Sequence, residues 1–254
     1  MISSTTNPAV KRARRLQKRG WRERTGRYLV EGHRALAPAV AAGTVEELFH
    51  ATRASSLRAG LLEMARRNGI VLREVSDGVM ASLTSVATAP DVLGVVPMAP
   101  TALRSLPGGA SGLVLSSQHD PAGVGSLMCT AAAIGLDAVI AAEATVDLFE
   151  PKVARAAAGA HSLLRVIPEA TTPEAVEALR AGGARVVALT EKGSPPWEHD
   201  LSGPIALIVD GADGPEGIGG VDARVGVPGG AVGAPIVVRA AVVLYEWVRQ
   251  RGVA

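Results

Sequence analysis

Along this chain, short apolar runs alternate with longer stretches whose apolar positions recur every three or four residues, a pattern that predicts an α/β protein. In the first hundred residues the runs at 27–31, 48–50, 71–75 and 94–96 read as strands. Helices are predicted at 8–18, around 35–37 and at 57–68, with Asn7 as N-cap and Pro8 at the first helical position, where its missing N–H costs nothing. Two proline- and glycine-rich breaks follow, at 97–100 and 107–109. Beyond them the alternation becomes more regular: strands at 112–116, 138–141, 163–166, 185–189 and 205–209, and helices at 126–134, 152–160, 173–181 and 237–249. That order predicts a parallel sheet covered on both faces. The expected layout is therefore a small α/β domain over 1–98, a linker over 99–110 and a larger parallel-sheet domain over 111–254. In the last helix, Val238, Val242 and Tyr245 and also Val237, Ala241, Leu244 and Val248 fall at helical spacing. Such a broad apolar face is covered either by the chain's own core or by a second copy.

Composition narrows the class. With 254 residues and 48% apolar content the chain can bury a full core. It has no apolar run of the length a membrane span needs and no apolar stretch behind its basic start, so the expectation is a cytoplasmic protein. A lone cysteine, Cys129, forms no internal disulfide, and five scattered histidines give no zinc-ligand spacing, so no metal is expected. The net charge of +2 conceals an asymmetry: residues 1–30 hold nine basic side chains against Glu23 alone, a net of +8, which leaves −6 for the rest. Lys11, Arg12, Arg14, Arg15, Lys18, Arg19 and Arg22 are the candidate RNA contacts, since each cation that neutralises a phosphate releases a counterion. The alternative for such a run is a solvated helix face. Trp21 and Tyr28 lie within or beside it, placed either to stack on unpaired bases or to pack a small domain.

The candidate chemistry begins at 119–135, HDPAGVGSLMCTAAAIG, after the apolar run 112–115. Together with Ser3-Ser4, Asn7-Pro8 and 26–32 near the start, with 151–160, 206–215 and 225–228, and with 244–246 near the end, it makes the chain resemble the SpoU-type (SPOUT) RNA 2'-O-methyltransferases over nearly its full length. The resemblance implies an N-terminal RNA-binding domain, a methyltransferase domain with a C-terminal trefoil knot, S-adenosylmethionine as cofactor, structured rRNA or tRNA as partner, and a homodimer formed through the knotted domain. It also implies a cofactor pocket lined by Leu189, Val209, Gly211, Ala212, Gly214, Val227, Pro235 and Ile236.

The departures from the family pattern gather at the chemistry. Where the first motif carries an Asn that holds the site and an Arg that acts on the ribose hydroxyl, this chain has Gly123 and Cys129. Where the third motif carries Ser-Leu-Asn, it has Gly233, Ala234 and Pro235, and Arg239 stands where the family has a small residue. A ribose hydroxyl is a poor nucleophile at neutral pH. Its methylation needs a positioned base and in-line alignment, and general base catalysis contributes roughly 10²–10⁴-fold. The remaining catalytic candidates are His119, Asp120, Cys129 and Arg155, the last for phosphate. Against them stand an exposed turn histidine and a small core cysteine. Three readings follow: a methyltransferase with altered or weak activity, an inactive RNA-binding or regulatory dimer, or a pocket turned to another small ligand by the acidic rim of Asp210, Asp213 and Glu216.

Overall fold

The computed structural model describes residues 1–52, 56–211, 219–229 and 233–252, without the side chains of 56–58. Its contacts divide the chain into two compact units, Met1–Ala99 with Phe149–Ser162, and Pro100–Leu148 with Leu163–Ala254. Among the described residues no helix is long and apolar enough to cross a membrane.

The first unit opens with α1 (Pro8–Arg15), capped by the Asn7 side chain, which accepts from the Ala9 N–H. The basic segment does not run on to residue 18 as one helix. It breaks after Arg15 and resumes as α2 (Arg19–Thr25), which ends on Gly26 in the left-handed conformation. A four-stranded sheet follows, built from β1 (Arg27–Glu31), β2 (Glu47–Ala51), β3 (Val71–Val75) and β4 (Val92–Pro97) in the order β1-β4-β2-β3. Only the β2–β3 pair is parallel, and α4 (Ser56–Arg67) connects it; α3 (His33–Ala41) links β1 to β2. Helix α5 (Asp77–Leu83) has too few residues for a clear period in the sequence, yet Val79, Met80 and Leu83 are buried in one core with Val10, Leu29, Phe49 and Leu93.

Phe149–Ser162 joins this unit, although it lies well inside the segment expected to form the second domain. The reason is aromatic packing: the Phe149 ring meets buried Tyr28 edge-on, with centroids 5.1 Å apart, and His161 stacks on both. The helix expected over 152–160 is shorter, α7 (Pro151–Ala156), because Ala158 and Gly159 turn to positive φ.

The second unit is a six-stranded, all-parallel sheet. Its strands are β5 (Gly112–Ser116), β6 (Ala138–Ala141), β7 (Arg165–Ile167), β8 (Arg185–Ser194), β9 (Ile205–Asp210) and β10 (Ala223–Val225), in the order β10-β8-β9-β5-β6-β7. Val114, Ile140, Val186 and Ile208 cluster with Val176 and Leu179 of α8 (Thr172–Ala181). Residues of the opposite parity, Leu113, Val139, Val187 and Leu207, are equally buried, so both faces are covered. The segment expected as linker is packed: Thr101 N–H donates to Val166 O, and Leu103 and Leu106 lie on the core.

Two helices of this unit pack on each other, α6 (Pro121–Ala133) and α9 (Ile236–Gln250). The buried stripe of α9 is Ala240, Val243, Leu244 and Trp247, whose indole donates to Gly203 O at 2.9 Å. That stripe is rotated from the one read in the sequence, and Val238, Val242 and Tyr245 are 50%, 36% and 71% exposed.

Candidate functional site

The strand order reverses between β5 and β9, because the chain moves outward through β6 and β7 and then returns on the other side. At such a switch point the carboxyl ends of neighbouring strands diverge and leave room for a ligand. Ser116 and Asp210 pair at these two ends, and Gly211 N–H donates to Ser116 O at 2.9 Å. The buried Gln118 side chain fastens the ends together, its Nε2 donating to Ser116 O and Val209 O at 3.2 Å each. Gln118 is not among the residues singled out from the sequence; its signal is a polar residue two places after a strand and directly before the motif. A Cβ on Gly211 would lie 2.2 Å from Ser117 O, so the backbone here admits only glycine.

Near this reversal lies a cavity of about 590 Å³ lined by Ser116, Ser117, Glu143, Thr172, Val176 and Asp210 among others. Glu143 accepts from the Thr172 N–H at 2.7 Å and from its hydroxyl at 2.5 Å. Burial opposes ionisation of Glu143, but these two bonds outweigh it and lower its pKa. Among the described residues, none of the predicted cofactor residues lines this cavity.

Those residues are spread over β8, β9, the segment after β10 and α9. Leu189 is buried midway along β8, Val209 is buried next to the end of β9, Val227 is half-buried just past β10, and Pro235 and Ile236 start α9. Ala212 and Gly214 lie outside the described residues, as do Asp213 and Glu216 of the acidic rim. The paired backbones of β8 and β10 approach closely here, at a break in their register: a Cβ on Gly193 would lie 2.4 Å from the Val225 carbonyl carbon, and one on Gly226 would lie 2.6 Å from Gly193 O. Arg239 reaches from α9 to Thr190 O at 3.4 Å, and its Nε is buried with no hydrogen-bond partner.

The catalytic candidates meet mixed fates. The helix expected over 126–134 begins earlier, at Pro121, with Asp120 as its cap. Both Asp120 oxygens are occupied, by the Ala122 N–H at 3.0 Å and the Gly123 N–H at 2.9 Å, so this carboxylate fixes a helix end. His119 is exposed and Cys129 half-buried on α6. At Gly123 a Cβ would stand 2.9 Å from Asp120 Oδ2 and 3.2 Å from Val237 Cγ2, so α9 packs against the position where an asparagine was expected. Arg155 belongs to the first unit, where Nε and Nη2 donate to Glu31 Oε2 at 3.2 and 2.6 Å. Among the described residues no cluster of three or more metal-ligating side chains occurs.

In the first unit, Lys11, Arg12, Arg14, Arg15, Lys18 and Arg19 are exposed. Arg22 is not available to a partner: it is 2% exposed, and its Nη1 donates to Leu16 O and Gln17 O, closing the break between α1 and α2. Tyr28 is likewise buried, which pushes its phenol pKa up and removes it as a stacking surface. Trp21 is half-buried, with the Arg24 and Arg15 guanidiniums 3.7 and 4.5 Å from its ring centroid.

The switched parallel sheet, in one chain with a unit that opens on a basic helix, places the protein among α/β folds, and the known relatives make the class specific. Residues 111–221 match the model of the SpoU rRNA Methylase family, and residues 7–94 match the MRM3-like substrate binding domain. The 23S rRNA (guanosine(2553)-2'-O)-methyltransferase RlmP of Bacillus subtilis is 30% identical over 226 residues, 87% of this chain and 84% of that protein. A crystal structure of an RNA 2'-O ribose methyltransferase superposes with a TM-score of 0.83 at 27% identity, over 99% of both chains. The SpoU methyltransferase AviRb of Streptomyces viridochromogenes, solved in complex with the cofactor AdoMet, gives 0.81 at 25% identity, covering 98% of this chain and 99% of that one. This chain belongs to the SpoU rRNA methylase family.

Proposed function

We propose that this protein binds rRNA through the basic face of its first unit and S-adenosylmethionine at the strand ends of its second, as a ribose 2'-O-methyltransferase whose chemical step is weakened. The observation that carries the reading is the close passage of Gly193 against Gly226, which supports a cofactor cradle made of backbone and apolar carbon rather than of the missing polar side chains. It also accords with the trefoil knot that the family resemblance implies. Leu189, Val209, Gly211, Val227, Pro235 and Ile236 would hold the adenosyl group, with Ala212 and Gly214. The cofactor supplies an electrophilic methyl group when bound. This chain's own share is poorer: Asp120 is engaged as a cap, Cys129 brings no cation, and exposed His119 is left as the titratable group of that loop.

A second reading, an inactive RNA-binding dimer, is favoured by one observation: Arg239 extends to the Thr190 carbonyl, beside Leu189. Calorimetric titration with S-adenosylmethionine and S-adenosylhomocysteine, followed by labelled methyl transfer to rRNA and mapping of 2'-O-methyl sites, decides between them. Micromolar binding with transfer to ribose supports the first reading. No binding at millimolar ligand supports the second. In either case the exposed stripe of Val238, Val242 and Tyr245 is proposed to pair with a second copy, as expected from the family. Tyr245→Asp should then convert a sedimenting dimer to a monomer.

A further inference from the structure

The first unit holds a cavity of about 420 Å³ lined by Ala9, Arg12, Ala13, Arg15, Leu16, Trp21, Thr25, Arg27, Glu46, Glu47 and Val95. We propose that it receives one unpaired guanine nucleotide of the RNA. This rests on the RNA-binding reading above and adds a base preference that a basic surface alone does not give.

The argument starts from the walls. Ala9, Ala13, Leu16 and Val95 are buried carbon, and Trp21 with the Arg15 guanidinium over its ring forms a flat cationic wall. Bases splayed from a single strand stack on such surfaces. The volume lies in the range of small-molecule sites and suits one nucleotide. Arg12, Arg15 and Arg27 can neutralise the flanking phosphates.

What distinguishes the site is a pair of carboxylates among these cations, since acidic groups repel phosphate and bind only a donor-rich edge. Glu47 is fully engaged, Oε1 by Arg12 at 3.4 Å and Oε2 by Arg73 at 2.6 Å. Glu46 is engaged on one side: Arg27 Nε donates to Oε2 at 2.5 Å while Arg27 Nη1 donates to Thr25 O, which holds the guanidinium in place. Oε1 of Glu46 remains an acceptor, and Oε2, which takes Arg27, keeps a second lone pair, so the carboxylate still meets two parallel donors, one at each oxygen. Guanine alone among the four bases presents two adjacent ones, N1–H and the 2-amino group. Adenine and cytosine place an acceptor nitrogen next to their amino group, and uracil flanks its single imino group with carbonyls.

The test is fluorescence anisotropy of the full chain with labelled hexauridylates in which one central uridine is replaced by G, A or C. The G hexamer should bind about tenfold more tightly than the A or C hexamer, as expected for one two-point base contact. Glu46→Gln should bring that ratio close to one; losing the carboxylate also releases Arg27, which shifts the A and C affinities equally, so the ratio and not the absolute affinity is the readout. Lys11→Ala/Arg14→Ala/Lys18→Ala, outside the cavity, should weaken all three hexamers and keep the ratio. Equal affinities in the wild type, or a ratio that survives Glu46→Gln, overturn the guanine pocket and leave the basic anchor standing. No binding of any hexamer overturns the anchor and the pocket together.

Discussion

Six exposed cations crowd the first 19 residues of one unit, whereas the predicted cofactor residues of the other are all glycine or apolar. Both regions match family models, yet the functions proposed for them rest on different means. Phosphate recognition depends on charge and tolerates exchange of one cation for another. A cofactor cradle made of main chain depends on how closely two backbones approach, and it tolerates side-chain loss as long as its glycines remain. Chemistry at a ribose hydroxyl depends on individual polar groups at fixed positions, which the family resemblance assigns to Gly123, Cys129 and Pro235.

The sharpest way to break this contrast is at the close approach of β8 and β10. Gly226→Val places a side chain where a Cβ already stands 2.6 Å from Gly193 O, and no rotamer relieves a backbone clash. We expect a loss of more than about 4 kcal/mol, seen as collapse of the thermal transition by circular dichroism. Lys11→Ala/Arg14→Ala/Lys18→Ala should leave that transition in place while lowering RNA affinity by one to two orders of magnitude. Its log–log salt slope should fall by about 0.7 for each single-strand phosphate that is no longer neutralised.

A smaller effect is expected from an attempt to restore the family residues. Gly123→Asn presses on the Asp120 cap and on Val237, costing about 1–3 kcal/mol, and adding Cys129→Arg should not bring methyl transfer to the level of intact relatives. Val237→Ala in the same background should return part of the stability in urea unfolding. If Gly123→Asn proves neutral, the packing of α9 is not what keeps asparagine out.

The mildest prediction concerns acid. Burial opposes ionisation of Asp222, but the Val186 N–H at 2.7 Å and Arg180 outweigh it and lower its pKa. A carboxylate whose folded pKa lies below its unfolded value near 4 stabilises the fold above that value, and the contribution fades as pH falls through the folded pKa. Asp222→Asn should therefore cost less than about 1 kcal/mol at pH 7, given its partial exposure, and the gap to wild type should close between pH 5 and pH 2.

Much of this was readable in advance where the signal is local. The β5, β6 and β9 runs appear as apolar stretches because parallel strands are buried on both faces, and Asn7-Pro8 announced α1 because a cap and an N1 proline act within one turn. The reading failed where a residue's neighbour is distant in sequence or the local pattern was silent. Arg22 looked like one more cation of a basic helix, but the break after Arg15 leaves carbonyls that its guanidinium satisfies. Asp120 looked like chemistry in a turn, and it is the cap of a helix that starts five residues earlier than its apolar pattern. Tyr28 looked available for stacking until Phe149, from far along the chain, packed on it.

The sequence by itself determined the α/β class, the family and the charge asymmetry, because each is a property of residue type and short-range order. Only the tertiary structure decided which cations face outward, which side of α9 is buried, that Phe149–Ser162 packs with the first unit, and that Glu46 sits among arginines around a cavity. Those depend on which surfaces meet after the chain has closed loops of tens of residues, and side-chain burial and pairing are set by the partner surface rather than by the local pattern.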